Sequence, residues 1–169
     1  THLVLTGADD DSLDTDNGYN GSLQFVIVKQ RAAGGDNMVE ASSVAGISPA
    51  SDAKVSNFTF LGEADGNAFR LNTGTVGTYV NGVVKEVAEC FRWESSAGNG
   101  VAGYQAGVDP AFNSVLFDCV AGVETANSDA GAAAAAIAAG INNSTATASS
   151  LINSFINGPA ESAVTAFDV

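Results

Sequence analysis

Positive charge is what this chain has least of. Six Lys and Arg face 19 Asp and Glu in 169 residues, a formal net charge of −13. Binding to nucleic acid or to an anionic lipid surface needs clustered cations, so both are excluded as main functions. Histidine is nearly absent as well. His2 is the only one, which leaves a Ser-His-Asp or Cys-His arrangement without a base. Two cysteines and one remote histidine are too few for a zinc centre. There is no phosphate-cradling loop with a lysine, and Gly98-Asn99-Gly100 reads more simply as a turn. No stretch of 18 apolar residues occurs, so no membrane-spanning helix is expected. No basic, apolar leader opens the chain, and Thr1 runs almost directly into a strand pattern. This start implies a mature form or a fragment of something longer.

What is present is apolar residue at 46%, with 19 glycines and many Ser, Thr, Asn and Ala. That composition excludes a disordered acidic tail and fits one domain with a core. It has the character of an exported protein built from turns and strands. The remaining partners are divalent cations, neutral glycans and another copy of the chain.

The chain is organised around Asp9-Asp10-Asp11-Ser12-Leu13-Asp14-Thr15-Asp16-Asn17-Gly18-Tyr19-Asn20-Gly21, followed by the strand-like Leu23-Gln24-Phe25-Val26-Ile27-Val28. The same alternation of polar corner and short apolar strand returns at Asn57–Gly62, Ala68–Asn72, Thr78–Val84, Cys90–Glu94 and Ser114–Val120. Corners are marked by Asp65-Gly66-Asn67, Asn81-Gly82 and Asp109-Pro110. Repeated units with irregular spacing indicate an all-β solenoid with loop insertions rather than a strict array. Residues 1–125 are expected to form the coils, with a loop excursion near 31–52. Residues 126–169 are expected to pack on the same domain. They hold an Ala-rich helix capped by Ser128 or Asp129 and ending near Gly140, a second short helix over Thr147–Ile156, and the start of a further strand from Glu161.

Cys90 and Cys119 each lie in a strand-like segment, 29 positions apart. At roughly 20 to 30 residues per coil they would sit on neighbouring coils, within disulfide reach. The alternative is a pair of buried free thiols.

Five carboxylates in eight residues repel one another, and a hard divalent cation relieves that repulsion. Asp9, Asp10, Asp11, Asp14, Asp16 and Asn17 are therefore candidate calcium ligands, although their spacing matches neither an EF-hand loop nor a calcium-binding β-roll repeat. The alternative is a solvated edge that keeps an exported protein soluble. Trp93, Tyr79, Tyr19 and Tyr104 are candidates for a sugar-stacking platform, with core or rim packing as the alternative. Thr73-Gly74-Thr75 is a single short match to a threonine face of the ice-binding sort. Arg70 and Arg92 each follow a phenylalanine in a strand and are expected to pair with carboxylates such as Glu94 or the acidic edge, with a substrate clamp as the alternative.

The acidic stretch with its following strand, the Cys90 and Cys119 strands, and Phe155-Ile156-Asn157-Gly158 with Glu161 together resemble uncharacterised exported bacterial proteins. These are lipoprotein-like or cell-surface proteins, expected to be right-handed parallel β-helices. The resemblance covers most of the chain and implies fold and location rather than chemistry. Such β-helices also host polysaccharide lyases and glycosidases. Lyases acting on uronates need Arg or Lys as base and charge-neutraliser, of which this chain has few, and a glycosidase needs two carboxylates at a set separation. The first expectation is thus a non-enzymatic extracellular or bacterial cell-surface structural protein, self-assembling and binding calcium. A glycan-binding module or adhesin is the alternative, and a glycan-active enzyme the third.

Overall fold

A computed structural model of the chain describes residues 2–63, 66–72, 74–94, 103–152 and 156–157. The chain alternates between two parallel sheets. One contains β1 (Leu3–Thr6), β3 (Ser22–Lys29), β5 (Asp52–Leu61), β7 (Val76–Lys85) and β9 (Ala111–Asp118), stacked in that order. The other contains β2 (Leu13–Thr15), β4 (Asn37–Ala41), β6 (Asn67–Asn72), β8 (Glu89–Glu94) and β10 (Gly122–Glu124). Each strand pairs with the one two places along the chain, the connectivity of a right-handed parallel β-helix. The coils are uneven: Leu3 lies beside Val26, Ser22 beside Lys54, Asp52 beside Val76 and Thr78 beside Ala111. The irregular spacing in the sequence is therefore real. The long coils take up their extra residues where a β4 or β8 strand hands over to the first sheet.

The strands β3, β5, β7 and β9 each turn a corner without breaking. In β5, Ala53 and Val55 point inward, Ser56 and Asn57 both face outward, and Phe58 and Phe60 point inward again. The alternation slips by one at Asn57, whose φ is 53°. A single left-handed residue reverses the pleat and swings the strand, so both halves face one core. The same position is occupied by Phe25 (φ 58°), Asn81 (φ 56°) and Ser114 (φ 55°), one above another in register. Asn tolerates this conformation best among residues with a Cβ. The Asn81 Nδ2 also donates to Asn57 Oδ1 at 2.6 Å, tying two coils together. The Asn81-Gly82 signal is thus a solenoid corner. Gly82 is required there because a Cβ would lie 2.2 Å from the Phe58 ring.

The core is a set of inward ladders: Val39, Phe69 and Phe91 from one sheet, and Val55, Tyr79 and Phe112 from the other, all buried. Phe69 and Phe91 stack at 5.4 Å, and Tyr79 and Phe112 at 5.1 Å. The disulfide between Cys90 and Cys119 is formed, and it links β8 to the turn after β9.

Two expectations are corrected. The excursion near 31–52 contains β4, a full member of the second sheet, because Met38, Val39 and Ala41 provide buried anchors and Asn37 joins an amide ladder. Residues 31–36 and 42–51, on either side of β4, carry no strand. The second helix over Thr147–Ile156 does not form. Residues 147–150 are irregular, and β11 (Leu151–Ile152) pairs antiparallel with β12 (Ile156–Asn157). Ser, Thr and Asn in that stretch compete for backbone hydrogen bonds, and Ser149 accepts from Leu151 N. The strand expected from Glu161, the loop at 95–102, and Asp65, Thr73 and Phe155 lie outside the described residues.

The Ala-rich helix is present as α1 (Ala132–Ala139), ending at Gly140, with Ala132, Ala133 and Ala136 buried over the last coil. Its cap differs from expectation. Gly131 takes the N-cap position, and Glu124 of β10 receives the Gly131 and Ala133 N–H groups at 2.8 and 2.7 Å. Ser128 instead accepts from Trp93 N, and Asp129 from Gly103 N. After α1 the chain rejoins the solenoid: Ser144 bridges Leu116, and Asn142 adopts φ 56° above Ser114.

Candidate functional site

The outward positions of the second sheet form two polar columns along the solenoid. Four segments share one pattern: Asp11-Ser12-Leu13-Asp14-Thr15-Asp16, Asn37-Met38-Val39-Glu40-Ala41-Ser42, Asn67-Ala68-Phe69-Arg70-Leu71-Asn72 and Glu89-Cys90-Phe91-Arg92-Trp93-Glu94. In each, the third and fifth residues are ladder positions facing the core. The fourth residues (Asp14, Glu40, Arg70, Arg92) make one outer column, and the sixth (Asp16, Ser42, Asn72, Glu94) make the next. The first residues form a ladder at the sheet's edge, where Asn67 donates to Asn37 and Asn37 donates to Asp11.

The columns are joined by ion pairs. Arg70 donates to Glu40 through Nη1 and to Glu94 through Nε, each at 2.7 Å, and Arg92 reaches Glu94 at 2.9 Å. The side chains of Arg70, Glu40 and Glu94 keep only 28%, 17% and 16% of their surface exposed, so water screens these contacts poorly. The expected Arg70 and Arg92 pairing is borne out. Burial pushes Glu94 upward, but hydrogen bonds and charge from Arg70, with Arg92 added, outweigh it and hold the carboxyl below its usual range. Glu40 moves the other way: burial and the adjacent Asp11 carboxyl raise it against the pull of Arg70. Asp14 is also raised, by burial and then by Asp11, Asp16 and Asp10.

Beside the columns, Asp16, Asn17, Ser42, Ser43, Val44 and Asn72 line a cavity of about 150 Å³. Its walls are built: Asn72 Nδ2 donates to Ser42 Oγ at 3.2 Å, Ser42 Oγ donates to Glu40 Oε1 at 3.3 Å, and Val44 N donates to Asn17 Oδ1 at 3.0 Å.

The six candidate metal ligands are divided among three places. Asp10 and Asp11 stay together and are joined by Asp36, with carboxylate oxygens within 4.8 Å of one another. Asp9 pairs with Arg31. Asp14, Asp16 and Asn17 belong to the columns and the cavity. Parallel stacking brings Asp36 beside the acidic stretch, through Asp36 N donating to Asp10 O at 3.1 Å, and sequence proximity gave no hint of it.

The aromatic platform is not formed. Trp93 and Tyr79 are fully buried, Tyr104 packs edge-on against Trp93, and Tyr19 sets its ring against Gly21. Trp93 and Tyr79 point inward because their positions in β8 and β7 are core positions of the alternation.

Sequence reasoning missed Glu40, Ser42, Asn72 and Asp36. The signal for the first three was the six-residue pattern above, visible only once the segments are aligned despite their unequal spacing.

A family model described as a pectate-lyase-like beta helix domain matches residues 1–158. No curated protein and no solved structure matches the chain.

Proposed function

The chain belongs to the pectate-lyase-like β-helix domain family, and from that premise we propose that it is a non-enzymatic extracellular or cell-surface protein that holds glycan on the outer face of its second sheet. The observation that carries this is the Glu40–Arg70–Glu94–Arg92 network, half-buried on an otherwise open sheet face next to a polar cavity. Rigid, pre-oriented carboxylate, guanidinium and amide groups are what sugar hydroxyls need as hydrogen-bond partners. The Cys90–Cys119 disulfide supports an oxidising, extracellular setting. Among the described residues no helix is long and apolar enough to cross a membrane.

The test is retention on immobilised polysaccharides. Ser42→Phe fills the cavity and removes binding, while Thr78→Val on the opposite sheet leaves it intact. Equal retention of wild type and Ser42→Phe, or no retention on any glycan, overturns the proposal.

A second reading, glycoside hydrolysis, starts from two glutamates held either side of Arg70 at 2.7 Å each, with Glu40 pushed up and Glu94 held down. Against it, Arg70 engages both carboxylates at once. Release of reducing sugar that disappears in Glu40→Gln would establish hydrolysis in place of simple binding.

The proposal includes calcium at Asp10, Asp11 and Asp36, three carboxylates toward the roughly six to eight oxygens the ion takes. Calcium then raises the melting temperature of the wild type over that in chelator, and the gain vanishes in Asp36→Asn. Equal melting with and without calcium removes the ion from the proposal. Self-assembly into filaments has less support, because α1 lies over the core at one end, where the first coil of another copy would stack.

A further inference from the structure

Resting on the glycan-holding reading above, the charge layout of this face narrows the ligand class, and we propose that the face takes a cationic glycan built from free amino sugars rather than the polyanionic uronate chains. The two columns carry four carboxylates (Asp14, Asp16, Glu40, Glu94) and two guanidiniums (Arg70, Arg92), and both arginines are already paired to the glutamates. No cation on the columns is left to neutralise a uronate. At the end of the columns nearest the acidic stretch the balance is one-sided. Asp14 and Asp16 stand on the first coil, both exposed, with no cationic partner among the described residues within ion-pair distance.

The cavity lies at that same end. Asp16 is one wall, and the others offer uncharged groups: the Asn17 amide, the Ser42 and Ser43 hydroxyls and the Asn72 amide. Asn72 is itself nine-tenths buried and anchored to Ser42, so the wall is rigid. A volume of about 150 Å³ is below the roughly 300 Å³ at which pockets for drug-sized ligands begin, which limits it to a single ring. An amino-sugar unit meets both requirements: hydroxyls for Asn17, Ser42 and Asn72, and an ammonium for Asp16. The rest of the chain would run over the columns, where coils repeat about every 4.8 Å. The net charge of −13 acts in the same direction, attracting a polycation and repelling polyuronate.

The test is calorimetric titration of the full chain with a glucosamine oligomer, its fully N-acetylated counterpart, an oligogalacturonate of equal length, and a lysine-rich peptide of matching charge. The glucosamine oligomer binds tightest, the oligogalacturonate does not bind, and the preference weakens at high salt. Asp16→Asn keeps the acceptor for the Asn17 N–H, and costs about three- to fivefold in affinity for the glucosamine oligomer only. Asp14→Asn, an exposed strand position, gives a second variant with the same expected loss. If the N-acetylated oligomer binds as tightly, the charge inference is overturned while the glycan-holding function stands. If the peptide binds and no sugar does, both are overturned.

Discussion

Arg70 holds two carboxylates at once, and removing its charge offers a direct test of the column network. Arg70→Met keeps most of the aliphatic stem and deletes the two 2.7 Å contacts to Glu40 and Glu94. Charge-assisted hydrogen bonds contribute about 1.5–3 kcal/mol each when well formed. The three side chains retain 16–28% exposure, so part of that is lost to solvent. We expect a loss of about 2–3 kcal/mol at pH 7 by urea denaturation, with an unchanged urea slope.

The pH dependence provides the sharper check. Glu94 sits below its usual value in the folded protein, so its contribution is present above the unfolded pKa and is lost as pH falls through the folded one. Glu40 sits above its usual value, so it opposes folding at neutral pH and that penalty is relieved as pH falls through its raised pKa. Without Arg70, Glu40 is half-buried with no cation and Glu94 keeps only Arg92, so protonation relieves both. The gap between wild type and Arg70→Met therefore narrows as pH falls from 7 towards 3. A gap below about 0.5 kcal/mol at pH 7, within the range of neutral surface changes, would mean that Arg70 does not tie the columns together. So would a gap that stays constant with pH.

Other perturbations follow from the fold. Gly82→Ala drives a Cβ to 2.2 Å from the Phe58 ring and should cost about 1–3 kcal/mol, read as a lowered melting temperature. Cys119→Ala opens the link between residues 29 positions apart and should cost about 3.5 kcal/mol, with no alkylatable thiol in the unreduced wild type. Glu124→Ala strips two N–H acceptors from the start of α1 and should cost about 1–2 kcal/mol, with faster amide exchange at Gly131 and Ala133.

The kind of fold is legible in the residue order. Alternating apolar strands between Asn, Asp and Gly corners leave few architectures other than a solenoid, and the cysteine spacing placed Cys90 and Cys119 on adjoining coils, where the disulfide is found. Composition also determined that Arg70 and Arg92 would seek carboxylates, because so few cations face so many acids. Register is set only in the packed molecule. Coil lengths vary, so residues some 20 to 30 positions apart can be matched in several ways, and a slip of one place exchanges the core face for the solvent face. Register buried Trp93 and Tyr79, which composition alone offered as a sugar platform, and brought Asp36 to Asp10 and Asp11. It made Asn37–Ala41 a strand where local polarity indicated a loop, and it set Glu40, Arg70 and Glu94 side by side. Local pattern says which way a side chain points within its own strand. Which neighbour it meets is decided by how the whole core packs best, and that cooperative choice is written in no single segment.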